Sequence, residues 1–459
     1  ELYKRIIIPF YTPILILISL FLILLPKENI NYFKFIVMTT FLLPVPVQAY
    51  LDPGSGSMLI YFLIGVFATL IYSTKSLFFR VKVSINRLLS KDKVKLKDKK
   101  NIVFYSEGGH YWTTFKSVIE ALSDMGVECS YYTSDSKDEG LKFQAPNVDT
   151  LFIGDGRFSL MSLNYLKAKI LVMTAPQLDV MHLKRSSEVD YFVHLIHAPT
   201  DVLSYKPFAF DFFDCVMCSG QHQIDHLRLI EKTRNLPPKE LLKTGLVYFD
   251  ELLANKKNTS TTSAAKKTIL VAPTWGANGL LNKVGFEPLQ LLVDAGFEVI
   301  LRPHPQSYVS DIELMQDIET LCNKYNAITI NRSPSAQDVM DKADILVSDV
   351  SGIIFDFAFV YEKPVIAFSG TLDEGRLLEN IEINATQELK TTIWEIGKIS
   401  EIATEVNVEK ISELPALAGQ ALSNSATGNI QKLRDESLFN YGSAGKVASQ
   451  QLKKLLGQV

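Results

Sequence analysis

Apolar residues divide the sequence into two parts with different patterns. The first 74 residues contain three long apolar runs, at residues 6–25, 33–49 and 58–72. The first run is twenty residues with almost no polar side chain, and at about 1.5 Å per residue a helix of that length crosses a hydrocarbon core of about 30 Å. The second run contains Pro44 and Pro46 and fits a spanning helix or a re-entrant hairpin better than a signal peptide. The pattern predicts a helical membrane region over residues 1–74.

A basic linker follows the third apolar run. Residues 75–100 hold ten Lys or Arg and two Asp, a net charge of +8. Positive residues directly after a hydrophobic segment are typical of the cytoplasmic side of a membrane and attract anionic lipid headgroups. We therefore expect this linker to lie in the cytoplasm against anionic lipids, although a solvated charged linker explains part of the pattern.

The rest of the chain alternates short apolar runs with amphipathic stretches, as strands and helices do in parallel α/β sheets. Within residues 101–254 a helix is predicted over 113–125, and strands are predicted at 102–105, 127–132, 150–153, 170–173, 191–196 and 215–218. A polar linker over 255–265 separates this half from a second one, 266–459, which restarts with strands at 268–271, 298–301 and 327–330 and ends in a helical tail. The order of strand, glycine turn and helix predicts two Rossmann-like domains.

Residues 344–368 have the most informative pattern in the second half. An apolar strand leads into the turn Ser348-Asp349-Val350-Ser351-Gly352, which is followed by an apolar helix and a further strand at 365–368. Such a turn lies at the carboxyl edge of the sheet, where a helix start offers unpaired N–H groups to an anion. Phosphate binding by Ser348, Ser351 and Gly352 is predicted; the alternative is a βαβ unit in which these residues only cap a helix.

Other polar residues follow predicted strands in the same way. Arg302 and His304 stand in the stiff segment Arg-Pro-His-Pro, and both side chains donate hydrogen bonds to phosphate oxygens. In the first half His197 stands at a strand end, whereas His194, three residues earlier on the strand, points to the opposite face and is expected in the core. A polar loop cap is the alternative for His197, and a surface ion pair is the alternative for Arg302.

The turn after the first strand, with Gly108, Gly109 and His110, lets an acceptor approach the backbone closely. The G-x-G-x-x-G fingerprint is missing there, so no dinucleotide cofactor is predicted. Cys215 and Cys218 form a lone C-x-x-C in an apolar run, which favours a buried strand over a metal site, and none is predicted. Four cysteines in 459 residues suit a reducing compartment, and a net charge of −3 argues against a nucleic-acid partner.

Several of these segments together resemble the CDP-glycerol glycerophosphotransferase family of teichoic-acid primases and polymerases. The resemblance extends over about residues 190–455 and rests on residues 272–275 (APTW), Gly245 with 250–253 (DELL), 301–304 (LRPH), 343–352 (ADILVSDVSG), 355–357 (FDF), 363–366 (KPVI) and 441–449 (YGSAGKVAS).

The resemblance implies a GT-B fold, in which two Rossmann-like domains face a cleft, and transfer of a polyol phosphate from a CDP-activated donor to a hydroxyl, with release of CMP. It maps the catalytic base to His197 and the Arg/His pair to Arg302 and His304. This sequence departs from the family with Ala198 in place of a glycine and Asp201 where a lysine is frequent.

The expected partners are thus a CDP-activated polyol donor, a lipid-linked or glycan acceptor, and anionic lipids, at the bacterial inner membrane with the catalytic domains in the cytoplasm. Two alternatives stay open at this point. One is a nucleotide-sugar glycosyltransferase or epimerase with the same fold, and the other is a membrane scaffold that has lost catalysis.

Overall fold

The structure is a computed structural model that describes residues 98–459 apart from 181, 258–265, 278, 334, 370–393 and 424–426. The three predicted membrane segments, nearly all of the basic linker and most of the polar linker at 255–265 lie outside the described residues. Among the helices that the structure does describe, none is both long enough and apolar enough to cross a membrane.

The first half is built on a parallel sheet with the strand order β3-β2-β1-β4-β5-β6-β7. Its strands are β1 (Lys100–Ser106), β2 (Cys129–Thr133), β3 (Val148–Phe152), β4 (Ala168–Met173), β5 (Val189–Leu195), β6 (Cys215–Cys218) and β7 (Glu240–Lys243). Its helices are α1 (Trp112–Asp124), α2 (Gly156–Asn164), α3 (Gln221–Arg234) and α4 (Val247–Asn255).

The second half repeats this plan with the order β10-β9-β8-β11-β12-β13. Its strands are β8 (Thr268–Val271), β9 (Glu298–Leu301), β10 (Ile328–Ile330), β11 (Ile345–Ser348), β12 (Val365–Ser369) and β13 (Thr404–Asn407). Its helices are α5 (Leu280–Val284), α6 (Glu287–Asp294), α7 (Ser307–Ser310), α8 (Ile312–Cys322), α9 (Gln337–Lys342), α10 (Ile353–Asp356) with a π-helical continuation (Phe357–Tyr361), α11 (Trp394–Ile402), α12 (Leu414–Ser423) and α13 (Thr427–Ser437).

The central strands are continuous apolar runs because both faces of each sheet are covered. Along β1, Val103 and Tyr105 pack into one hydrophobic cluster, while Ile102 and Phe104 pack into another on the opposite face. The predicted strands match the observed ones within about two residues, as is usual for element boundaries. The C-x-x-C segment is the buried strand β6, as expected.

The last helix, α14 (Ala444–Leu456), returns to the first half. Its buried face, which includes Ala448 and Leu452, shares a hydrophobic cluster with Phe115 of α1. Asp250 of α4 accepts hydrogen bonds from the N–H groups of Ala444 (3.3 Å) and Gly445 (2.7 Å) at the start of this helix. The range 266–459, predicted as one domain, therefore includes a helix that packs on the other half.

Both sheets reverse their strand order at one place, between β1 and β4 in the first half and between β8 and β11 in the second. Ligands of open α/β sheets bind outside the carboxyl ends of the strands at such a switch point. The turn with Gly108, Gly109 and His110 follows β1, and the turn with Ser348, Ser351 and Gly352 is at the end of β11. The predicted acceptor loop and the predicted phosphate turn thus both lie at switch points.

Candidate functional site

Asp349 links the turns after β8 and β11. Its carboxylate is buried and accepts hydrogen bonds from the N–H groups of Thr274 and Leu280, both at 2.8 Å. Burial raises the pKa of this carboxyl, and the backbone bonds act in the opposite direction. Ser348 is also fully buried, and its hydroxyl donates to the carbonyl of Ala272 at 2.6 Å. Ser348 and Asp349 therefore hold the turns after β8 and β11 together beneath the surface.

The surface of the phosphate turn is formed by Ser351 and Gly352, which are partly exposed. Gly352 directly precedes α10, and the space beside its Cα is open, with no atom within 4 Å of where a Cβ would lie. The carbonyls of Ser351 and Gly352 accept the N–H groups of Ile354 (3.1 Å) and Phe355 (3.0 Å). The N–H groups that precede Ile354 in this turn are the donors that a helix start offers to an anion.

Arg302 and His304 follow β9, which lies two strands from β11, so they stand at the same carboxyl edge of the sheet as this turn. The guanidinium of Arg302 is half-buried and donates to the side chain of Asn331 and to the carbonyl of Ser333 (2.8 Å), which follow β10. Burial lowers the pKa of Arg302, but an arginine stays charged at any physiological pH. These hydrogen bonds to the segment after β10 hold the positive charge of Arg302 at the sheet edge.

His304 is exposed, and its Nδ1 accepts the backbone N–H of Gln306 at 3.1 Å. Partial burial and the charge of Arg302 lower the pKa of His304, which favours the neutral ring. Since Nδ1 is an acceptor in this contact, the proton of the neutral ring is on Nε2. His304 therefore presents an N–H donor, and the exposed ring of Trp275 lies 6.3 Å from it.

His197 meets the predicted acceptor loop at the first switch point. Its ring contacts Tyr111 edge-on with centroids 4.9 Å apart, and Tyr111 in turn lies 4.0 Å from His110. Burial and the neighbouring His110 lower the pKa of His197 to about 4, so the ring is neutral at pH 7. The structure thus brings together His197 and His110, which are far apart in sequence.

The two glycines of this loop are close to other groups. The N–H of Gly109 donates to the Asp135 carboxylate at 3.2 Å. A Cβ at Gly108 would lie 3.0 Å from the ring of His110. His194, in contrast, is buried between Phe210 and Phe213. Burial lowers its pKa to about 3, as expected for a neutral histidine in the core.

The segment after His197 is held by groups that sequence reasoning did not find. Gln223 of α3 donates to the carbonyls of Ala198 (3.0 Å) and Thr200 (3.1 Å). Asp201 is fully buried and pairs with His226 at 2.8 Å. The motif departures at positions 198 and 201 therefore lie in a segment that α3 fixes. These contacts follow from the strand order, because β5 and β6 are neighbours in the sheet and α3 therefore lies beside the segment after β5. The sequence pattern alone does not indicate them.

Sequence comparison finds one family model that matches the chain. Residues 214–378 match the model of a family described as CDP-Glycerol:Poly(glycerophosphate) glycerophosphotransferase. The resemblance to this family is confirmed. The matched glycerophosphotransferase-like region contains Arg302, His304, Ser348, Ser351 and Gly352, whereas His197 and the acceptor loop precede it. No curated protein matches the chain in sequence.

Solved structures with a similar fold include two of the wall teichoic acid polymerase TagF, one of them soaked with CDPG. Their TM-scores are 0.54 and 0.53 at 14% and 16% identity, over 86% of this chain and 98% of TagF. A UDP-N-acetylglucosamine 2-epimerase also matches, with a TM-score of 0.51 at 12% identity over 79% of this chain and 97% of the other. These matches concern the fold. They confirm the α/β class with parallel sheets, and the structural neighbours are GT-B-like.

Proposed function

We propose that this glycerophosphotransferase-like enzyme transfers glycerol phosphate, or another polyol phosphate, from a CDP-activated donor to a hydroxyl of a lipid-linked or glycan acceptor. The observation that carries the proposal is the family match over residues 214–378, which contains the phosphate turn, Arg302 and His304 at one sheet edge. Those residues supply a positive charge, a neutral N–H donor and the N–H groups of a helix start, which suit a diphosphate.

In the proposed reaction the acceptor oxygen attacks the phosphorus that carries the polyol. A new P–O bond forms, the bond from that phosphorus to the bridging oxygen breaks, and CMP leaves with the electron pair. His197 takes the acceptor proton, since its ring is neutral at pH 7. Arg302, His304 and the turn at Ser351 stabilise the charge that grows on the bridging oxygen.

The test is CMP release by the purified protein supplied with CDP-glycerol, CDP-ribitol or a UDP-sugar, each with a polyol-phosphate acceptor. CMP release from a CDP-polyol is expected. Release of UDP or UMP without CMP would overturn the proposal and favour the glycosyltransferase or epimerase alternative, which shares the fold. His197→Ala and His304→Ala are each expected to reduce turnover about 100-fold or more, through loss of the base in the first variant and of a donor to the growing charge in the second, with unchanged melting.

His182 provides a matched control, because it is an exposed histidine in the connection from β4 to β5. His182→Ala should keep the wild-type turnover. Full activity of both His197→Ala and His304→Ala would remove these residues from the site.

We further propose that the apolar segments within residues 1–74 anchor the enzyme in the bacterial inner membrane, with the basic linker and catalytic domains on the cytoplasmic side. The sequence pattern supports this, because the net charge of +8 over residues 75–100 directly follows the last apolar run. The protein should stay in the membrane pellet after alkaline carbonate extraction. Its release into the supernatant would contradict the anchor.

A further inference from the structure

The segment that follows His197 is fixed by α3, which starts just after β6. Gln223 is fully buried and uses both amide hydrogens on the carbonyls of Ala198 and Thr200. Its amide oxygen accepts the N–H of Ser219 at 2.7 Å. Because its amide hydrogens and oxygen are all hydrogen-bonded, Gln223 holds the backbone next to His197 in a single conformation.

His222 connects the same segment to the second half. Its Nε2 lies 2.9 Å from the carbonyl of Pro199. Its ring stacks on Trp394, with centroids 3.7 Å apart and planes 4° apart. Trp394 is the first residue of α11, which belongs to the second half. His222 therefore contacts both the second half and the segment of residues 196–205, which we call the His197 segment.

The ring of Phe355 also lies near Trp394, with centroids 5.5 Å apart and planes at 19°. Phe355 is fully buried in α10, the helix that begins directly after Gly352 of the phosphate turn. We call His222, Trp394 and Phe355 the Trp394 stack. It joins the helix behind the phosphate turn to the segment behind His197.

A backbone hydrogen bond accompanies the stack. The N–H of Trp394 donates to the buried carboxylate of Asp201 at 3.3 Å. The first N–H groups of a helix have no partner within the helix, and here a first-half side chain provides one. Asp201 also accepts the N–H of Leu203 at 2.9 Å, so the start of α11 and the end of the His197 segment share one carboxylate.

We propose that Trp394 is a positioning residue which couples the phosphate turn of the second half to the His197 segment of the first. Planar rings in series transmit a displacement of α10 to His222, and from there to Pro199, because close-packed groups move together. An anion that orders the turn at Gly352 should then also order the backbone at His197, and the coupling must be reciprocal.

Hydrogen exchange of the His197 segment tests the coupling without any need for turnover. In Trp394→Ala, the amides of residues 196–205 should exchange about tenfold faster than in the wild type, a size typical of coupling between sites. Trp394→Phe keeps a ring in the stack and should restore much of the protection. Ile399→Val trims a buried residue on the same helix but keeps all three rings of the stack, and it should leave this exchange unchanged.

If Trp394→Ala does not fold, His222→Leu tests the same link from the other side, since it removes both the ring stack and the contact with Pro199. Wild-type exchange of residues 196–205 in Trp394→Ala, or in His222→Leu when it replaces that variant, would overturn the proposal. Equal acceleration in Ile399→Val would also overturn it, since a general loosening of α11 would then be the cause.

The kinetic consequence rests on the proposed function. CMP release by Trp394→Ala should show a kcat about tenfold lower with a smaller change in the KM of the donor, because Trp394 acts through its contacts with Phe355 and His222. A wild type that releases no CMP would refute the proposed function, whereas the exchange measurement would still decide the role of Trp394.

Discussion

At the scale of single residues, Ser348 and Ser351 have different surroundings although both belong to the same turn. Ser348 is fully buried and donates its hydroxyl hydrogen to Ala272, while Ser351 is partly exposed at the helix start. The sequence pattern placed both among phosphate ligands. In the structure Ser348 joins β11 to the end of β8, whereas Ser351 lies at the surface where a ligand can reach it.

Alanine substitutions separate the two roles. Ser348→Ala leaves the Ala272 carbonyl without its partner and should lower the free energy of unfolding by about 1–3 kcal/mol, with little change in the KM of the donor. Ser351→Ala should raise that KM and leave stability nearly unchanged. Urea unfolding and initial rates of CMP release measure both quantities. The reverse result, a donor defect in Ser348→Ala alone, would contradict this assignment.

One physical reason explains why the sequence pattern did not reveal Asp349 and Gln223 as structural residues. Asp349 and Leu280 are 69 positions apart, and Gln223 and Ala198 are 25 apart. A buried polar side chain is recognisable only by its partner, and here the partner is supplied by a neighbouring strand's loop. The positions of His197, Arg302 and His304 after strands were predictable, because an apolar run directly precedes each segment; their roles in the site stay a prediction.

At the scale of elements, the sequence predicted every central strand of both sheets and also the edge strands β3 and β10. The missed strands are the other two edges, β7 and β13; in β13 only Val406 is buried. β7 has two consecutive apolar residues and β13 has one, too few for a pattern to detect. The attachment of α14 to the first half was also hidden, because its apolar stripe predicts a buried helix face without indicating which core receives it.

Gly245 shows how tightly this attachment is built. Its φ is +100°, and a Cβ there would lie 2.3 Å from the carbonyl oxygen of Phe439 and 3.0 Å from Ala444. Gly245→Ala should therefore destabilise the fold through both backbone strain, about 1–2 kcal/mol, and a clash that adds about 1–3 kcal/mol. Thermal or urea unfolding measures the total.

Gly296 is a matched control for this prediction. Its φ is +91°, and no atom lies within 4 Å of the position of a Cβ. Gly296→Ala should then lose only the stability that corresponds to backbone strain, about 1–2 kcal/mol. Equal losses of stability in the two variants would mean that α14 yields to the added methyl group and is not tightly docked.

At the scale of the whole molecule, two half-buried carboxyl groups lie where the halves meet. Asp356 of α10 hydrogen-bonds Tyr248 of α4, and Glu395 of α11 is close to Asp201. Burial raises the pKa of each to about 7. Helix α4 itself packs in both halves, with Val247 in a first-half cluster and Phe249 in a second-half one.

These raised pKa values predict a pH dependence. The native carboxyls keep their protons up to about pH 7, whereas unfolded Asp and Glu lose theirs near pH 4. The native state therefore binds more protons in between, and this contribution to the free energy of unfolding is full below about pH 4 and is lost as pH rises through 7. Glu395→Gln should be more stable than the wild type at pH 8, by about 1–2 kcal/mol, and similar to it at pH 5.

The comparison must be between variant and wild type at each pH. His194, His197 and His222, whose pKa values burial lowers to about 3 or 4, contribute stability that is lost in the opposite direction, as pH falls. The difference between the two urea unfolding curves cancels this effect. A difference that does not change from pH 5 to pH 8 would show that Glu395 titrates normally.

The return of α14 also has a consequence for folding during synthesis. Gly445 lies 195 residues after Asp250, the side chain that caps its helix. Domains are usually able to fold in the order in which the ribosome makes them. Here the face of α1 around Phe115 stays uncovered until α14 has left the ribosome, so the first half is completed only after the second half has been made. A nascent chain that stalls anywhere in the second half would expose this apolar face to chaperones and proteases.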